Sequence, residues 1–180
     1  MKISKLKIIG TTLVAAMAVL VLAGQVSAGN GGSAANKLVG AWIAKVQGAP
    51  LQWSYVLSPD ASGRVASLHG SIDLGGASPI AADSSSPLIG EVVMTGPNSG
   101  KFTSLWYGIS KTPAPHIVYI GMNNGVILFV DPYNVVGTSN IVFYLPTADA
   151  DGDGIPDPDA VPIAPPTTLQ TIDTRLSLPR

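Results

Sequence analysis

The chain has 180 residues, ten basic and eleven acidic, a formal net charge of −1 and no cysteine. Without a Lys/Arg run or basic patch it is not expected to bind nucleic acid. The lack of cysteine excludes disulfides, a lipid-anchoring cysteine and thiolate chemistry. Charged residues make up only 12% against 20 glycines and 15 prolines, a balance that suits an all-β extracellular domain better than a helical one.

The N-terminal segment reads as a secretory signal. Lys2, Lys5 and Lys7 form a positive start, residues 8–24 are an apolar run, and Val26-Ser27-Ala28 offers small residues for cleavage before Gly29. The run is short for a membrane span of about 20 residues. A secreted or periplasmic location is therefore expected, with no membrane span once 1–28 is removed. The remaining 152 residues, 29–180, suit one domain. Removing the three lysines leaves a net charge of −4, and five of the acids fall between Asp149 and Asp159.

Residues 29–37 read as a flexible leader and 38–180 as the domain. From there apolar residues recur at period two, with turn signals at short intervals. Residues 38–47 put Trp42, Ala44 and Val46 on one side. Residues 51–58 put Leu51, Trp53, Tyr55 and Leu57 together. A Pro-Asp-Ala-Ser-Gly turn, 59–63, follows. Residues 65–74 then group Ala66, Leu68, Ile72 and Leu74, opposite Ser67, His69, Ser71 and Asp73. Residues 75–87 are expected to be a longer loop. Strands are expected over 88–95 and 101–111, joined by Gly96–Gly100. Two more, 116–122 and 126–131, are expected to flank a hairpin turn at Asn123-Asn124-Gly125, since Asn-Gly between apolar runs is a strong turn signal. A strand over 140–146, an acidic, proline-rich loop over 146–166 and a last strand over 168–178 complete the chain. There is no internal repeat and no clear helix. The expected fold is all-β: an antiparallel up-and-down barrel of about eight to nine strands, lipocalin-like.

Gly40-Ala41-Trp42 in the first strand, a meander of hairpins and Arg175 in the last strand resemble the pattern of the lipocalin, or calycin-type, family. The stretch from Ser86 to Ile109 is also similar to the middle of secreted bacterial lipocalin-like domains. The resemblance implies a closed barrel end plugged by Trp42, with Arg175 over its indole face. Guanidinium over indole combines stacking with cation–π attraction, of order 1 kcal/mol. The other reading of Trp42 is an ordinary core aromatic.

The acidic loop has Asp149, Asp151, Asp153 and Asp157 at positions 1, 3, 5 and 9, with Gly152 and Gly154 between them. Alternate aspartates in a tight loop can converge on a hard cation, which takes six to eight oxygens, and Ile155 at position 7 can give its carbonyl. The run is similar to the start of an EF-hand loop and to the repeats of thrombospondin type 3 and dockerin. Calcium is the implied cofactor, weakly held, because position 12 is Ala160 rather than a bidentate acid. A solvated acidic loop is the alternative.

Other constellations are weaker. Residues 95–103 miss the phosphate-loop spacing at Thr95 and Phe102. His69, Asp73 and Glu91 could do acid–base work only if they faced the interior, and alternation puts His69 outside. No G-x-S-x-G or H-E-x-x-H motif is present. Trp53, Tyr55, Trp106, Phe129 and Phe143 are candidates to line a cavity for a small apolar ligand, or to fill it. The expected function is a non-catalytic binding module for such a ligand or an envelope component. The alternatives are a structural or adhesive surface domain and, third, an enzyme built on the barrel interior. The sequence does not indicate an oligomeric state.

Overall fold

The computed structural model describes residues 35–62, 64–72 and 78–177. The expected signal segment, the leader up to residue 34, Asp73 and Leu74 lie outside the described residues. Nine strands are formed among the described residues: Gly40–Val46 (β1), Gln52–Pro59 (β2), Val65–Ile72 (β3), Ser84–Ser85 (β4), Leu88–Met94 (β5), Ser99–Ser110 (β6), His116–Phe129 (β7), Asn134–Tyr144 (β8) and Thr167–Arg175 (β9). Eight of them pair antiparallel in the order β1-β2-β3-β5-β6-β7-β8-β9, and β9 pairs back onto β1. The result is a closed up-and-down barrel. The extra strand β4 adds Ser84 and Ser85 to β6 beside Ile109 and Gly108, inside the segment expected to be only loop.

The inner face follows the period-two pattern. Trp42, Ala44 and Val46 of β1, Trp53, Tyr55 and Leu57 of β2, and Ala66, Leu68 and Ile72 of β3 are all buried in one core with Leu88, Val92, Trp106, Tyr119, Ile127, Phe129 and Phe143. Each large apolar side chain taken fully out of water contributes roughly 1.5–3 kcal/mol, so a one-residue slip of any strand would turn that gain outward.

Helix is limited to two single turns among the described residues, Ala35–Leu38 (α1) and a 3₁₀ turn at Pro146–Ala148. The first falls at the end of the expected flexible leader. It is held because Leu38 is fully buried and the Lys37 ammonium donates to the Pro97 carbonyl at 2.9 Å and to the Asn98 side chain.

The Asn123-Asn124-Gly125 turn does not form. Asn123 to Gly125 lie in the middle of the 14-residue β7, paired to Ser104, Thr103 and Phe102 on one side and to Ile141, Asn140 and Ser139 on the other. A reversal there would strip ladder bonds from both neighbours. The chain reverses instead at Val130–Tyr133, where the Asp131 carboxylate accepts the N–H groups of Tyr133 (2.7 Å) and Asn134 (2.9 Å). Pro132 next to it has no N–H to give a ladder. β8 accordingly begins at Asn134, six residues earlier than the sequence pattern indicated. Gly125 is required for another reason: a Cβ there would lie 1.9 Å from the Thr138 carbonyl oxygen, so it marks close approach of β7 and β8.

Two substitutions separate strand from turn. Asn124→Val places a strand former on the exposed face and is expected to stay within about 0.5 kcal/mol of the parent. Gly125→Val should cost about 1–3 kcal/mol through overpacking. Urea unfolding measures both. A large loss with Asn124→Val would point to a turn.

Candidate functional site

One end of the barrel carries the short reversals at 60–64, 95–98 and 130–133, together with α1. Trp42 closes it from inside. Its indole stacks on Tyr55 at 6.4 Å, meets Phe129 edge-on at 5.9 Å, and lies under the Arg175 guanidinium, whose central carbon is 4.7 Å from the ring centroid. Arg175 and Trp42 are direct cross-strand partners, so closing the sheet brings them together. Arg175 also donates to the Lys37 carbonyl at 2.6 Å, tying α1 over the plug. The glycine of Gly40-Ala41-Trp42 has a local cause. Its φ is +136°, and a Cβ would come 3.3 Å from Arg175 Nε, so a side chain there would be strained and would crowd the guanidinium.

The opposite end carries the connections at 47–51 and 111–115 and the long ones before β5 and β9, and Leu51, Ile80 and Ile163 from this end pack onto the core. Trp106, Tyr119 and Phe143 form an edge-on aromatic cluster with centroid distances of 5.3 and 6.0 Å.

A cavity remains at mid-height. One part of its wall is apolar: Trp53, Leu68, Leu88, Val92, Phe102 and Ile127. The rest is polar: Tyr55, Ser104, Asn123, Ser139, Thr171 and Asp173. The cavity is small. The centre of a water molecule has about 20 Å³ in which to move, where one water needs roughly 10–15 Å³. Of the five aromatics expected to line a cavity, Trp53 and Tyr55 do. Trp106, Phe129 and Phe143 are not in its wall, because they are spent on packing the two ends.

Asp173 and Asn123 are the least expected groups inside, only 4% and 2% exposed. The Tyr55 hydroxyl donates to Asp173 Oδ2 at 2.5 Å. Asp173 Oδ1 and Asn123 Oδ1 are buried and accept no hydrogen bond. Burial pushes the Asp173 carboxyl above its ordinary value, and hydrogen bonds from Tyr55 and Thr171 pull it part of the way back. Tyr55 is driven well above the usual phenol range, first by burial and then by the adjacent Asp173. Both groups are thus biased toward their neutral forms. The periodicity that places Arg175 inside also places Thr171 and Asp173 inside, two and four residues earlier. That was the available signal.

His69 and Glu91, the acid–base candidates, are both exposed on the outer wall. His69 sits between Val56 and Ile89 on neighbouring strands.

The acidic loop folds around one long-reaching carboxylate, Asp149, and two Asx turns, at Asp151 and Asp153. Asp149 Oδ2 accepts Gly154 N–H at 3.0 Å, Asp151 Oδ1 accepts Asp153 N–H at 3.2 Å, and Asp153 Oδ1 accepts Ile155 N–H at 2.7 Å. Gly152 and Gly154 take φ of +78° and +89°. One carboxylate oxygen each from Asp149, Asp151 and Asp153 lies within 4.8 Å of the others. Asp157 stands apart from that triple and caps the loop by accepting Ala150 N–H at 3.1 Å. Asp149 Oδ1 is buried without a hydrogen bond. The Ile155 side chain is exposed. The loop is fastened to the barrel where the Tyr107 hydroxyl donates to the Gly154 carbonyl at 3.0 Å.

No protein-family model matches the sequence, and a search of curated proteins finds none similar to it. Among solved structures, a chain of "Structure of EF1p2_mFAP2b bound to DFHBI" is similar at 17% identity and a TM-score of 0.44, over 79% of this chain and 97% of that one. The ligand named there belongs to that protein.

The raised Asp173 pKa has a consequence for stability. A carboxyl whose folded-state pKa exceeds its unfolded value binds its proton more tightly in the native state. Native stability therefore falls as pH rises from the ordinary carboxyl value, 3.8, through the folded one. Asp173→Asn keeps an acceptor for Tyr55 and removes the ionisation. The variant is expected to unfold at higher urea than the parent at pH 7, and the gap should close as pH falls below the ordinary carboxyl range. A parent more stable than the variant at pH 7 would contradict the assignment.

Proposed function

We propose that the protein is an exported, non-catalytic barrel that binds a small molecule at its part-polar centre, where the cavity has room for about one water. The observation that carries this reading is the mixed wall. A core that only needed to be filled would not keep a buried carboxylate and amide with orphaned acceptors, each costing about 1–3 kcal/mol. A few convergent polar groups in an otherwise apolar cavity are what a binding site requires. The lining favours a ligand with an apolar body and a polar end, which narrows the purely apolar ligand expected from the aromatics. Export is supported by the pattern of Lys2 to Ala28. A non-catalytic role is supported by the outward placement of His69 and Glu91.

Native mass spectrometry of the protein recovered from a secreting host tests the reading. A discrete bound mass is expected with the parent and should be lost in Val92→Ile, whose added methylene takes up a space of about one water while circular dichroism stays unchanged. Absence of any bound mass in both, together with no uptake of added small molecules, would overturn it. That result would favour a structural or adhesive surface domain. The observation behind this second reading is an exposed apolar row on the outer wall, where Leu128, Val136 and Ile172 are direct cross-strand neighbours.

The acidic loop is proposed as a weak calcium site. Asp149, Asp151 and Asp153 would supply carboxylate oxygens, and the buried, unpartnered Asp149 Oδ1 supports the reading. Asp157 would act by holding the loop shape, and the Ile155 carbonyl would complete the set. Titration calorimetry is expected to give roughly millimolar to sub-millimolar affinity, abolished by Asp151→Ala with Asp153→Ala. No heat from the parent at millimolar calcium would dismiss it.

A further inference from the structure

We infer that the outer wall formed by β7, β8 and β9 docks on an anionic phospholipid surface. The inference concerns the outside of the barrel and is independent of whether the central cavity takes a ligand.

The alternation that fills the interior leaves a continuous apolar patch outside. Leu128, Val136 and Ile172 are direct cross-strand neighbours, and Val126 stands two residues before Leu128 on the same face of β7. Val130 and Tyr133 carry the patch into the reversal between β7 and β8. All six side chains are exposed. A sheet face in water ordinarily reads polar, and a contiguous group of apolar side chains with a polar border marks an interaction surface.

Charge selects the partner. Lys101 is the cross-strand partner of Val126, and Lys45 that of Ile172, so one ammonium borders the patch on each side. Both lysines are exposed and have no hydrogen bond or ion pair among the described residues. No acid faces outward on β7, β8 or β9. Asp131, in the reversal, has its carboxylate occupied by the Tyr133 and Asn134 N–H groups. The five acids of 149–159 belong to the loop at the opposite end.

A bilayer surface fits this arrangement. Aliphatic side chains and a tyrosine enter the headgroup boundary, while lysine stems lie along the apolar surface and hold their ammonium groups at the phosphates. The wall is convex, as the outside of a small barrel must be, and lipid conforms to such a surface. A two-fold pair of these patches would set lysines against lysines, which disfavours a second copy of the chain.

The test is co-sedimentation of the protein, recovered from a secreting host, with lipid vesicles. Low salt and EDTA are used so that calcium cannot bridge the acidic loop to lipid. Phosphatidylglycerol vesicles are expected to bind the parent about tenfold or more tightly than phosphatidylcholine vesicles, and about 0.5 M sodium chloride should remove most of that preference. Lys45→Gln with Lys101→Gln should weaken binding to phosphatidylglycerol by about tenfold or more. Leu128→Thr with Ile172→Thr keeps strand formers and should weaken binding to both lipids, with circular dichroism unchanged. Val56→Thr with Ile89→Thr, on the far wall either side of His69, should change nothing. No binding to either lipid, equal binding to both, or the same loss in the far-wall variant overturns the inference. A parent that is dimeric in solution and becomes monomeric with Leu128→Thr and Ile172→Thr, without binding lipid, overturns it in favour of a second copy.

Discussion

Closure of the sheet is the constraint on which the rest depends. A barrel of eight antiparallel strands has no free edge only if its first and last strands pair, and here β1 and β9 do so from Trp42↔Arg175 to Val46↔Thr171. That register does three things at once. It stacks the Arg175 guanidinium on Trp42 and sets Asp173 and Thr171 facing the interior. It also brings Tyr55, one strand further round, within hydrogen-bonding distance of Asp173. The plug and the polar wall are consequences of one ladder.

The interior is a compromise between filling and the polar groups it keeps. Bulky aromatics occupy both ends, so the middle is left with short polar side chains: Ser104, Asn123, Ser139 and Thr171. A hydrocarbon core would be more stable than one holding Asp173. Keeping a buried carboxyl, biased toward its neutral form, beside open space gives up stability that a packed core would hold. The same trade is absent on the outer wall, where His69 and Glu91 sit in water and incur no such cost.

Much of this was legible in the residues. Alternation at Trp42-Ala44-Val46 and Trp53-Tyr55-Leu57 identified the inner face directly, and Gly40-Ala41-Trp42 with Arg175 identified the strands that meet. The failures have physical causes. Asn124-Gly125 has the composition of a turn, but tertiary pairing on both sides of β7 outweighs a local preference, and the glycine serves a contact with Thr138 that no local pattern reveals. Trp106, Phe129 and Phe143 share the period of cavity residues; which aromatic fills an end and which lines a void depends on its height in the barrel, and that is set by stagger between strands. Asp173 lay on the correct face by simple counting. Its role became visible only when Tyr55, 118 residues away, was placed against it.

That separation has a bearing on how the molecule comes into being. The Tyr55–Asp173 bond and the Trp42–Arg175 stack join the beginning and the end of the domain, so neither exists until nearly the whole polypeptide is available. A nascent chain can build the hairpins from β1 to β8, yet it must leave both outer ladders bare until β9 arrives. Maturation is therefore all-or-none with respect to the C-terminal strand, and a chain shortened by its last dozen residues would lose the enclosure together with every cavity-facing group that β9 carries.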